Sequence, residues 1–260
     1  QCFSVSTTLG NYNNDIGLPL SILRSSEENC QRCVYELGAS KKNDISYLVN
    51  ICEPKMTALL NVSEAHMESF GSFENLIKTK EEIFSHTNTD QVVLNKDDER
   101  FARWKKINKR KKITTISIFS DADYFIEKTD DEFFYISTPR GKFELIKKNS
   151  SEILAINLLF SIALAMEAGA DIQSVKDGIY SFSGVQGRFF SFVSSNKSIV
   201  IDDSYNANPE SMKLSLNQIK HFKKTKIFVM GDMGELGERS LDHHLSVFKL
   251  AKDIGVKYLL

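Results

Sequence analysis

The stretch V-I-D-D-S-Y-N-A-N-P-E-S-M, from Val200 to Met212, decides how this part of the chain folds. Apolar residues 199–201 predict the end of a buried strand, and Pro209 predicts the start of a helix whose N-cap is Asn208. Between strand and helix the chain places two carboxylates, a hydroxyl, a phenol and two amides. In open α/β sheets, ligands bind where strands end and helices begin. The stretch is therefore a polar turn that caps a helix, one wall of a ligand site, or both.

Composition limits the class of protein before any motif is considered. A chain of 260 residues with 42% hydrophobic content can bury a full core and predicts two domains. The formal net charge of -1 gives no general attraction to nucleic acid or to an anionic membrane. The basic run at 105–112 favours a solvated helix end over nucleic-acid binding, and the apolar run at 153–166 is too short to span a bilayer. We therefore expect no nucleic-acid partner and no stable membrane insertion.

The four cysteines are irregularly spaced, which predicts free thiols in a reducing compartment. Cys30 and Cys33 form a single C-x-x-C pair without a second pair, so a structural role is favoured over metal or redox chemistry. No signal peptide is recognisable, and we expect a cytoplasmic protein. The chain opens on Gln1 and closes on a strand-like segment at 256–260, so we expect truncation at both ends.

Strand and helix patterns alternate along most of the chain. Strands are predicted at 32–37 and 56–60, and helices at 44–52, 73–84, 151–168 and 172–182. This order predicts an α/β fold with a mostly parallel central sheet and crossover helices. Short β-rich pieces at 113–145 predict a small antiparallel flap on that sheet.

A second domain is predicted after the glycine-bracketed turn at 184–188. A strand at 226–230, a helix beginning near Ser240 and the strand at 256–260 are typical of a partial Rossmann-like α/β domain. The predicted domains are therefore residues 1–186 and 187–260. The acidic turn G-x-x-G-x-x-G at 231–237 lacks the spacing of a dinucleotide-binding turn and would repel a pyrophosphate, which argues against a nicotinamide cofactor.

Two residues in the first domain are candidates for metal chemistry. Glu36 and His66 both follow strand ends and would be adjacent if the two strands are neighbours. A carboxylate and an imidazole suit Mg²⁺ or Mn²⁺ when phosphate and water complete the coordination shell. The alternatives are an exposed strand-end glutamate and a structural histidine. Lys80 falls on or beside the apolar face of its helix. A lysine in this position can pack its aliphatic stem against the core while its ammonium reaches water.

Two loops carry side chains suited to polar ligands. The asparagine-rich loop at 10–19, with Asn13 and Asn14, either reverses the chain or binds a ligand, and composition leaves both open. The turn at 184–188 presents Arg188, which suits bidentate contact with phosphate or carboxylate but also fits a surface arginine in a linker.

Taken together, these stretches resemble one family, the Mur ligases. The matching pieces are G-N-Y-N-N-D-I-G-L-P-L (10–20), E-L-G-A (36–39), N-V-S-E-A-H-M-E-S-F-G-S (61–72), K-T-K-E-E-I-F (78–84), G-V-Q-G-R (184–188), D-D-S-Y-N-A-N-P-E-S-M (202–212) and G-D-M-G-E-L-G-E (231–238). They occur in the family's order. The first motif and Y-N-A-N-P-E-S-M are similar to the members that act on D-alanyl-D-alanine.

The resemblance implies an ATP-dependent, ADP-forming amide ligase of peptidoglycan synthesis. ATP would phosphorylate the terminal carboxylate of a UDP-N-acetylmuramoyl tripeptide, and the amine of D-Ala-D-Ala would attack the acyl phosphate. Phosphoryl transfer between anions requires cations and rigid positioning, which matches the residue types present. The resemblance implies ATP and Mg²⁺ as cofactors, and we expect the protein to be a monomer.

The resemblance also implies roles for individual residues. Glu36 and His66 match Mg²⁺ ligands, and Lys80 matches a lysine whose carbamate helps to hold a second Mg²⁺. Arg188 matches an arginine that reaches the ATP phosphates, and Lys80, His66 and Arg188 are the implied catalytic residues. Asp203 matches a carboxylate near the ribose.

The remaining implied contacts are amides. Asn206 and Asn208 would line the nucleotide side, and Asn157 would lie near the adenine. Asn13 and Asn14 would lie beside the UDP-linked sugar and tripeptide.

The sequence departs from the family pattern at several points. The family's P-loop lies upstream of the position of Gln1, and no G-K-[ST] occurs in this chain. We expect that the family's N-terminal uridine-nucleotide domain and the end of its C-terminal domain lie outside this chain, and that this chain lacks ligase activity alone. Ile153-Leu154 stands where the family often has His-Asn, and Gln186 where proline is common. The alternatives are a sibling ligase that adds a single amino acid, and a non-catalytic nucleotide-binding or scaffold module.

Overall fold

The computed structural model describes residues 2–63, 67–147 and 152–260, and the chain divides into two compact units. The first comprises residues up to Val62 together with Ser69–Tyr180, and the second contains Ser181–Leu260. The boundary predicted between Gln186 and Gly187 stays a prediction. Within the described residues, no helix combines the length and apolar character needed to cross a bilayer.

The first unit alternates strands and helices in its first half and forms hairpins in its second. Its elements are β1 (Val5–Thr7), α1 (Gly17–Glu27), β2 (Arg32–Val34), α2 (Asp44–Cys52), β3 (Met56–Leu59), α3 (Met67–Phe70), α4 (Phe73–Glu81), β4 (Gln91–Asn95), α5 (Phe101–Ile107), β5 (Lys112–Ser117), β6 (Tyr124–Thr129), β7 (Phe133–Thr138), β8 (Gly141–Ile146), α6 (Glu152–Glu167) and α7 (Ile172–Ser181). The predicted helix at 44–52 is confirmed. The strand predicted at 56–60 is confirmed one residue shorter, and the last turn of the helix predicted at 73–84 is a 3-10 turn at Glu82–Phe84.

A six-stranded sheet in the order β3-β4-β5-β6-β7-β8 forms the centre of this unit. β3, β4, β5 and β6 pair in parallel, and β6, β7 and β8 pair antiparallel. The mostly parallel α/β fold is thus confirmed. The predicted antiparallel flap is formed by β6, β7 and β8 at one edge of this sheet, and the pairing of Ile116 of β5 with Tyr124 of β6 makes the sheet continuous. The residues 113–117, which were assigned to the flap, belong to parallel β5.

Apolar strands and an apolar helix form the core of the first unit. Val92, Val93 and Leu94 of β4 are fully buried, as expected for a strand of a parallel sheet that is covered on both faces. Leu159 and Ile162 of α6 are also fully buried and pack in the same cluster as Val93. Burying a side chain of this size contributes about 1.5–3 kcal/mol. The apolar run at 153–166 is therefore a core helix.

Polar contacts at the amino ends of the strands fix α6 on the sheet. Glu167, at the end of α6, accepts hydrogen bonds from Gln91 Nε2 at 2.6 Å and Tyr124 OH at 2.9 Å, and pairs with Lys112 Nζ at 2.5 Å. Lys111 Nζ donates to the carbonyl of Phe84 at 2.5 Å. The basic run at 105–112 is thus not wholly a solvated helix end, since its last two lysines hold other elements.

A separate pair of short parallel strands, β1 and β2, precedes the main sheet. β2 ends at Val34, so Glu36 lies two residues beyond the strand that was predicted to extend to Leu37. Among the described residues β2 pairs with β1, and β3 with β4. Glu36 and His66 therefore do not follow hydrogen-bonded neighbouring strands. His66 itself lies outside the described residues.

In its described residues, the second unit contains two small β-ladders and two packed helices. Its elements are β9 (Phe190–Val193), β10 (Ile199–Asp202), α8 (Pro209–Ile219), β11 (Lys226–Phe228), α9 (Ser240–Asp253) and β12 (Val256–Leu259). β11 and β12 pair in parallel around α9, which confirms the predicted Rossmann-like arrangement. Met212 and Leu216 of α8 pack in one cluster with Val247 and Ala251 of α9.

The strand that precedes the opening stretch differs from its prediction. β10 pairs antiparallel with β9, and Ile199 and Val200 are 55% and 38% exposed. The prediction of a buried strand end was wrong, because an apolar triplet alone does not distinguish a core strand from a hairpin strand.

Candidate functional site

Glu36 stands at the carboxyl edge of the β1–β2 pair. Its backbone N–H donates to Thr8 Oγ1 at 2.9 Å, and Thr8 is the first residue after β1. Because the two strands are parallel, both chains leave the ladder at the same edge and their polar residues meet there. The side chain of Glu36 is exposed and its carboxylate can accept a ligand.

The asparagine-rich loop is fastened to this edge. Asn13 Nδ2 donates to Glu36 Oε1 at 3.1 Å, and the Asn13 carbonyl accepts the backbone N–H of Gly38 at 2.8 Å. Asn14 Oδ1 accepts the backbone N–H groups of Ile16 and Gly17, at 3.2 and 2.8 Å, where α1 begins. Both side chains thus have partners within the protein. Contact of Asn13 and Asn14 with a substrate stays a prediction.

Lys80 lies in the last turn of α4 and is half-buried. Burial lowers the pKa of Lys80, and the negative charge of Glu36 opposes this shift in part. The Glu36 carboxylate is therefore within electrostatic reach of the Lys80 amine. The structure joins Asn13 to Glu36 by a hydrogen bond, although the two residues were predicted from separate motifs.

The residue after Lys80 anchors the end of α4. Glu81 accepts a hydrogen bond from Arg103 at 2.6 Å and another from the buried indole of Trp104 at 2.9 Å, both from α5. The Glu81 side chain is only 10% exposed, so this pairing also satisfies a charge that would be costly to bury alone.

The next residue ties the same segment to α2. The two carboxylate oxygens of Glu82 accept the backbone N–H groups of Asn43 and Ser46, each at 3.0 Å. Asn43 is the N-cap residue of α2 and makes no side-chain cap of its own, so Glu82 satisfies donors that the helix start leaves free. The K-E-E of the motif at 78–84 therefore combines one candidate site residue with two anchors.

The donor set at this edge fits a cation that takes most of its ligands from phosphate oxygens and water. Mg²⁺ commonly takes one or two carboxylates and keeps waters or phosphate oxygens in its other positions, so a single exposed Glu36 is sufficient. Within the residues described, no cluster of three or more His, Cys, Asp or Glu side chains surrounds a potential cation position. An ammonium at Lys80 would oppose a nearby cation, whereas an anionic form of this side chain would favour it.

In the second unit, Arg188 is held by the turn that precedes it and by an aromatic ring. Its backbone N–H donates to Val185 at 3.0 Å, and its guanidinium lies 4.1 Å from the centroid of the Tyr205 ring. Gly187, with φ of 78°, accepts the Tyr205 backbone N–H at 3.0 Å. A Cβ at Gly187 would lie 3.3 Å from Tyr205 atoms and in a strained conformation. Stacking on Tyr205 orients the guanidinium plane of Arg188, and the exposed side chain keeps its hydrogen-bond donors available to a ligand.

Asp203 connects this turn to α8. Its Oδ1 accepts the backbone N–H of Phe189 at 2.9 Å, and its Oδ2 accepts the hydroxyl of Ser215. Phe189 has a φ of 48°, a conformation that non-glycine residues rarely adopt. The carboxylate thus stabilises the residue next to Arg188, and proximity of Asp203 to a ribose stays a prediction.

The two asparagines of the opening stretch differ in environment. Asn208 is the N-cap of α8: its Oδ1 accepts the Ser211 backbone N–H at 2.9 Å, and the Ser211 hydroxyl accepts the Asn208 N–H at 3.1 Å. The predicted cap, with Pro209 at the first helical position, is confirmed. Asn206 is exposed, and its Oδ1 accepts only the adjacent Ala207 N–H among the hydrogen bonds described for that atom.

Asn157 lies within α6 of the first unit. Its Oδ1 is buried and has no hydrogen-bond partner among the described residues. A buried acceptor without a partner costs about 1–3 kcal/mol, so it requires an explanation such as a ligand donor or an ordered water. This amide has unused capacity of the kind that the exocyclic amine of adenine would satisfy.

The acidic turn at 231–238 is held by a histidine that the motif reading missed. His244 Nε2 accepts the Met233 backbone N–H at 3.2 Å, and the Ser240 carbonyl lies 2.8 Å from His244 Nδ1. These two partners assign the proton to Nδ1. The ring belongs to α9 and so fixes the turn against that helix.

Sequence reading also missed several residues that support the predicted ones. Thr8, Gly38, Glu82, Tyr205 and Ser215 each contact a candidate site residue or its segment. Gly38, Glu82 and Tyr205 lie inside motifs that were recognised, so their position next to a candidate was an available signal. Thr8 and Ser215 are common polar residues in unremarked positions, and only the folded chain identifies them.

Family models match both units of this chain. The Mur ligase middle domain matches residues 1–165, and the glutamate ligase domain of Mur ligases matches residues 187–260. The chain belongs to the Mur ligase family.

Particular members of the family are similar along the whole chain. The UDP-N-acetylmuramoyl-tripeptide--D-alanyl-D-alanine ligase of Escherichia coli strain K12 is 31% identical over 267 residues, which cover 100% of this chain and 59% of that relative. The crystal structure of MurF from Acinetobacter baumannii superposes with a TM-score of 0.89 at 27% identity, covering 99% of this chain and 57% of that one. MurF from Thermotoga maritima in complex with ADP gives a TM-score of 0.82 at 26% identity, covering 99% and 64%. The chain thus spans somewhat more than half the length of these proteins.

Proposed function

We propose that this chain is the central part, with some of the C-terminal part, of an ATP-dependent, ADP-forming ligase. The ligase joins D-Ala-D-Ala to a UDP-N-acetylmuramoyl tripeptide through an acyl phosphate, in peptidoglycan precursor synthesis. The observation that carries the proposal is the Glu36 carboxylate at the carboxyl edge of the β1–β2 pair, held there by Asn13, in a unit that matches the Mur ligase middle domain. The named activity of the Escherichia coli relative supports the choice of substrates.

The proposal assigns Mg²⁺ to the edge formed by Glu36, with His66 as a further ligand and a second Mg²⁺ at a carbamylated Lys80. When bound, Mg²⁺ neutralises charge on the reacting phosphate. The lowered pKa of Lys80 increases the fraction of neutral amine, which is the form that adds to CO₂. The new N–C bond gives a carbamate and releases one proton, so the side chain changes from cation to anion. Carbon-13 NMR of the protein in ¹³C-bicarbonate, with Lys80→Arg as control, would detect the carbamate directly.

The proposal assigns ATP to the arginine turn and the opening stretch. Arg188 contacts phosphate, Asp203 lies near the ribose, and Asn206 and Asn208 line the nucleotide side. The buried Oδ1 of Asn157, which has no hydrogen-bond partner among the described residues, supports a contact with adenine. The ADP complex of the Thermotoga maritima relative supports nucleotide binding.

The remaining parts of the proposal concern partners and setting. Asn13 and Asn14 lie beside the UDP-linked sugar and tripeptide, in addition to the bonds that they make within the protein. Residues 1–186 and 187–260 form separate domains, as the start of the second family match at residue 187 supports. The protein is a monomer that acts in the cytoplasm. Light scattering of the purified protein would test the monomer.

The decisive experiment uses the complete protein that contains this chain. It is incubated with ATP, Mg²⁺, the UDP-linked tripeptide and either D-Ala-D-Ala or single amino acids, and the products are identified by mass. A product that is heavier by D-Ala-D-Ala, together with ADP and phosphate, is expected. A product formed only with a single amino acid would instead identify a sibling ligase, and nucleotide binding without any product would identify a non-catalytic module.

A variant series would link the activity to the site. Glu36→Gln removes the carboxylate charge with little change in volume and should reduce turnover by at least about a hundredfold, as expected for loss of a metal ligand or an electrostatic contact in the transition state. Glu53→Gln, an exposed glutamate after α2, is the matched control and should retain activity. Equal activity of the two variants would refute the metal assignment.

A further inference from the structure

Gly38, two residues after Glu36, is a glycine for a reason other than backbone conformation. It is not among the glycines with positive φ, so its backbone conformation is open to any residue. A Cβ built at Gly38, however, would lie 2.8 Å from Oδ1, 2.9 Å from Cγ and 3.0 Å from Nδ2 of Asn13. All three distances are shorter than ordinary van der Waals contacts, which begin near 3.5 Å. The carboxamide of Asn13 thus occupies the space that a side chain at this position would need.

The same carboxamide is fixed on its other side. Asn13 Nδ2 donates to Glu36 Oε1 at 3.1 Å, and the Asn13 carbonyl accepts the Gly38 N–H at 2.8 Å. The backbone bond prevents Asn13 from withdrawing as a unit from Gly38. A methyl group at Gly38 would therefore force the carboxamide to rotate, and rotation would break its bond to Glu36.

We propose that Gly38 is a positioning residue: its missing side chain makes room for the Asn13 carboxamide, which in turn holds the Glu36 carboxylate in place at the carboxyl edge of the β1–β2 pair. Where the proposal concerns Mg²⁺, it rests on the proposed function. Misplacement of a site group by about 1 Å can reduce activity by about a hundredfold, so a single methyl group here should have a large effect. The proposal also gives Asn13 a defined part in the site, as the link between Gly38 and Glu36.

The primary test observes the Asn13 carboxamide itself, without metal or substrate. The protein is labelled with ¹⁵N-asparagine, and the Asn13 side-chain NH₂ resonance is assigned by its loss in Asn13→Ala. In Gly38→Ala the resonance is expected to move toward the position that it takes in Glu36→Gln, where the charged acceptor is gone. An unchanged Asn13 resonance in Gly38→Ala would overturn the proposal.

The second test measures Mn²⁺, as a probe for Mg²⁺, by electron paramagnetic resonance. Gly38→Ala and Asn13→Ala are each expected to weaken Mn²⁺ binding about tenfold or more, and the double variant no further, because both changes remove one interaction. Gly178→Ala is the control, since a Cβ at that helical glycine would meet nothing within 4 Å. Additive losses in the double variant would overturn the proposal.

The outcomes separate this inference from the proposed function. If Glu36→Gln does not change Mn²⁺ affinity, the metal assignment fails, and the Asn13 resonance still decides the role of Gly38. If Gly38→Ala does not fold, the proposal requires that Asn13→Ala in the same chain restores folding, because the smaller side chain removes the clash. Failure of the double variant to fold would overturn the proposal.

Discussion

Replacement of Asn208 separates its structural role from the proposed contact with nucleotide. Asn208→Ala removes the oxygen that caps α8 at 2.9 Å from the Ser211 N–H. Loss of such a cap costs about 1 kcal/mol. With a urea dependence of about 1–3 kcal/mol per molar, the unfolding midpoint of the second unit should fall by about 0.3–1 M. Asn208→Asp retains a cap oxygen and adds a charge that the helix N-terminus favours, so it should be as stable as the original chain.

The assay follows urea unfolding by circular dichroism, with tryptophan fluorescence recorded in parallel. The single tryptophan, Trp104, is buried in the first unit, so its signal reports on that unit and should not shift. Asn206→Ala is the matched control, because within the described part of the chain its Oδ1 accepts only the adjacent N–H, and its loss should cost less than about 0.5 kcal/mol. Equal destabilisation by Asn208→Ala and Asn208→Asp would refute the capping argument. In the complete protein, Asn208→Asp should weaken ATP binding at least severalfold, because its negative charge would lie beside the anionic nucleotide; unchanged binding would refute the proposed contact.

Three further predictions concern other parts of the site. Burial lowers the pKa of Lys80 from its ordinary value of 10.5, so between the two values the unfolded chain binds more protons and stability rises with pH. Lys80→Met should therefore be more stable than the original chain at pH 7 in urea unfolding, and this advantage should shrink as the pH approaches 10.5; a constant advantage would contradict the pKa argument. Glu82→Ala removes the acceptor of the Asn43 and Ser46 backbone N–H groups at the start of α2 and should cost about 1 kcal/mol, as loss of a helix cap does. Hydrogen exchange at these two amides should become faster, and unchanged exchange would show that Glu82 is not the cap. Arg188→Lys keeps the charge but loses the planar stacking on Tyr205, so ATP affinity in the complete protein should fall while Tyr205→Phe retains it; equal affinities would exclude a role for the guanidinium plane.

Sequence patterns predicted the helices of the first unit well where the spacing of apolar residues matches the face that packs in the core. The helix at 44–52 has the predicted bounds, and the apolar run at 153–166 is the core helix that packs against β4. Pairing partners were harder to predict, because the sequence of a strand does not state which neighbour it joins. The segment at 113–117 was assigned to an antiparallel flap, yet its register with β4 makes it a parallel strand of the main sheet.

The candidate residues were predicted from motifs, but the contacts that orient them were not. Asn13, Glu36 and Lys80 come from three motifs far apart in the chain, and their proximity depends on how β1, β2 and α4 pack. The role of Gly38 depends on a distance to a side chain 25 positions earlier, as their residue numbers show. No local pattern contains that distance, so a glycine after a strand end reads only as a turn former.

The three consecutive residues Lys80, Glu81 and Glu82 limit the changes in chain length that α4 can accept. Each extra residue in an α-helix rotates everything after it by about 100°. A one-residue insertion between Phe73 and Lys80 would therefore turn the lysine from Glu36 and both glutamates from their partners at the same time. Insertions that preserve the site should therefore lie outside α4, in exposed segments of the chain.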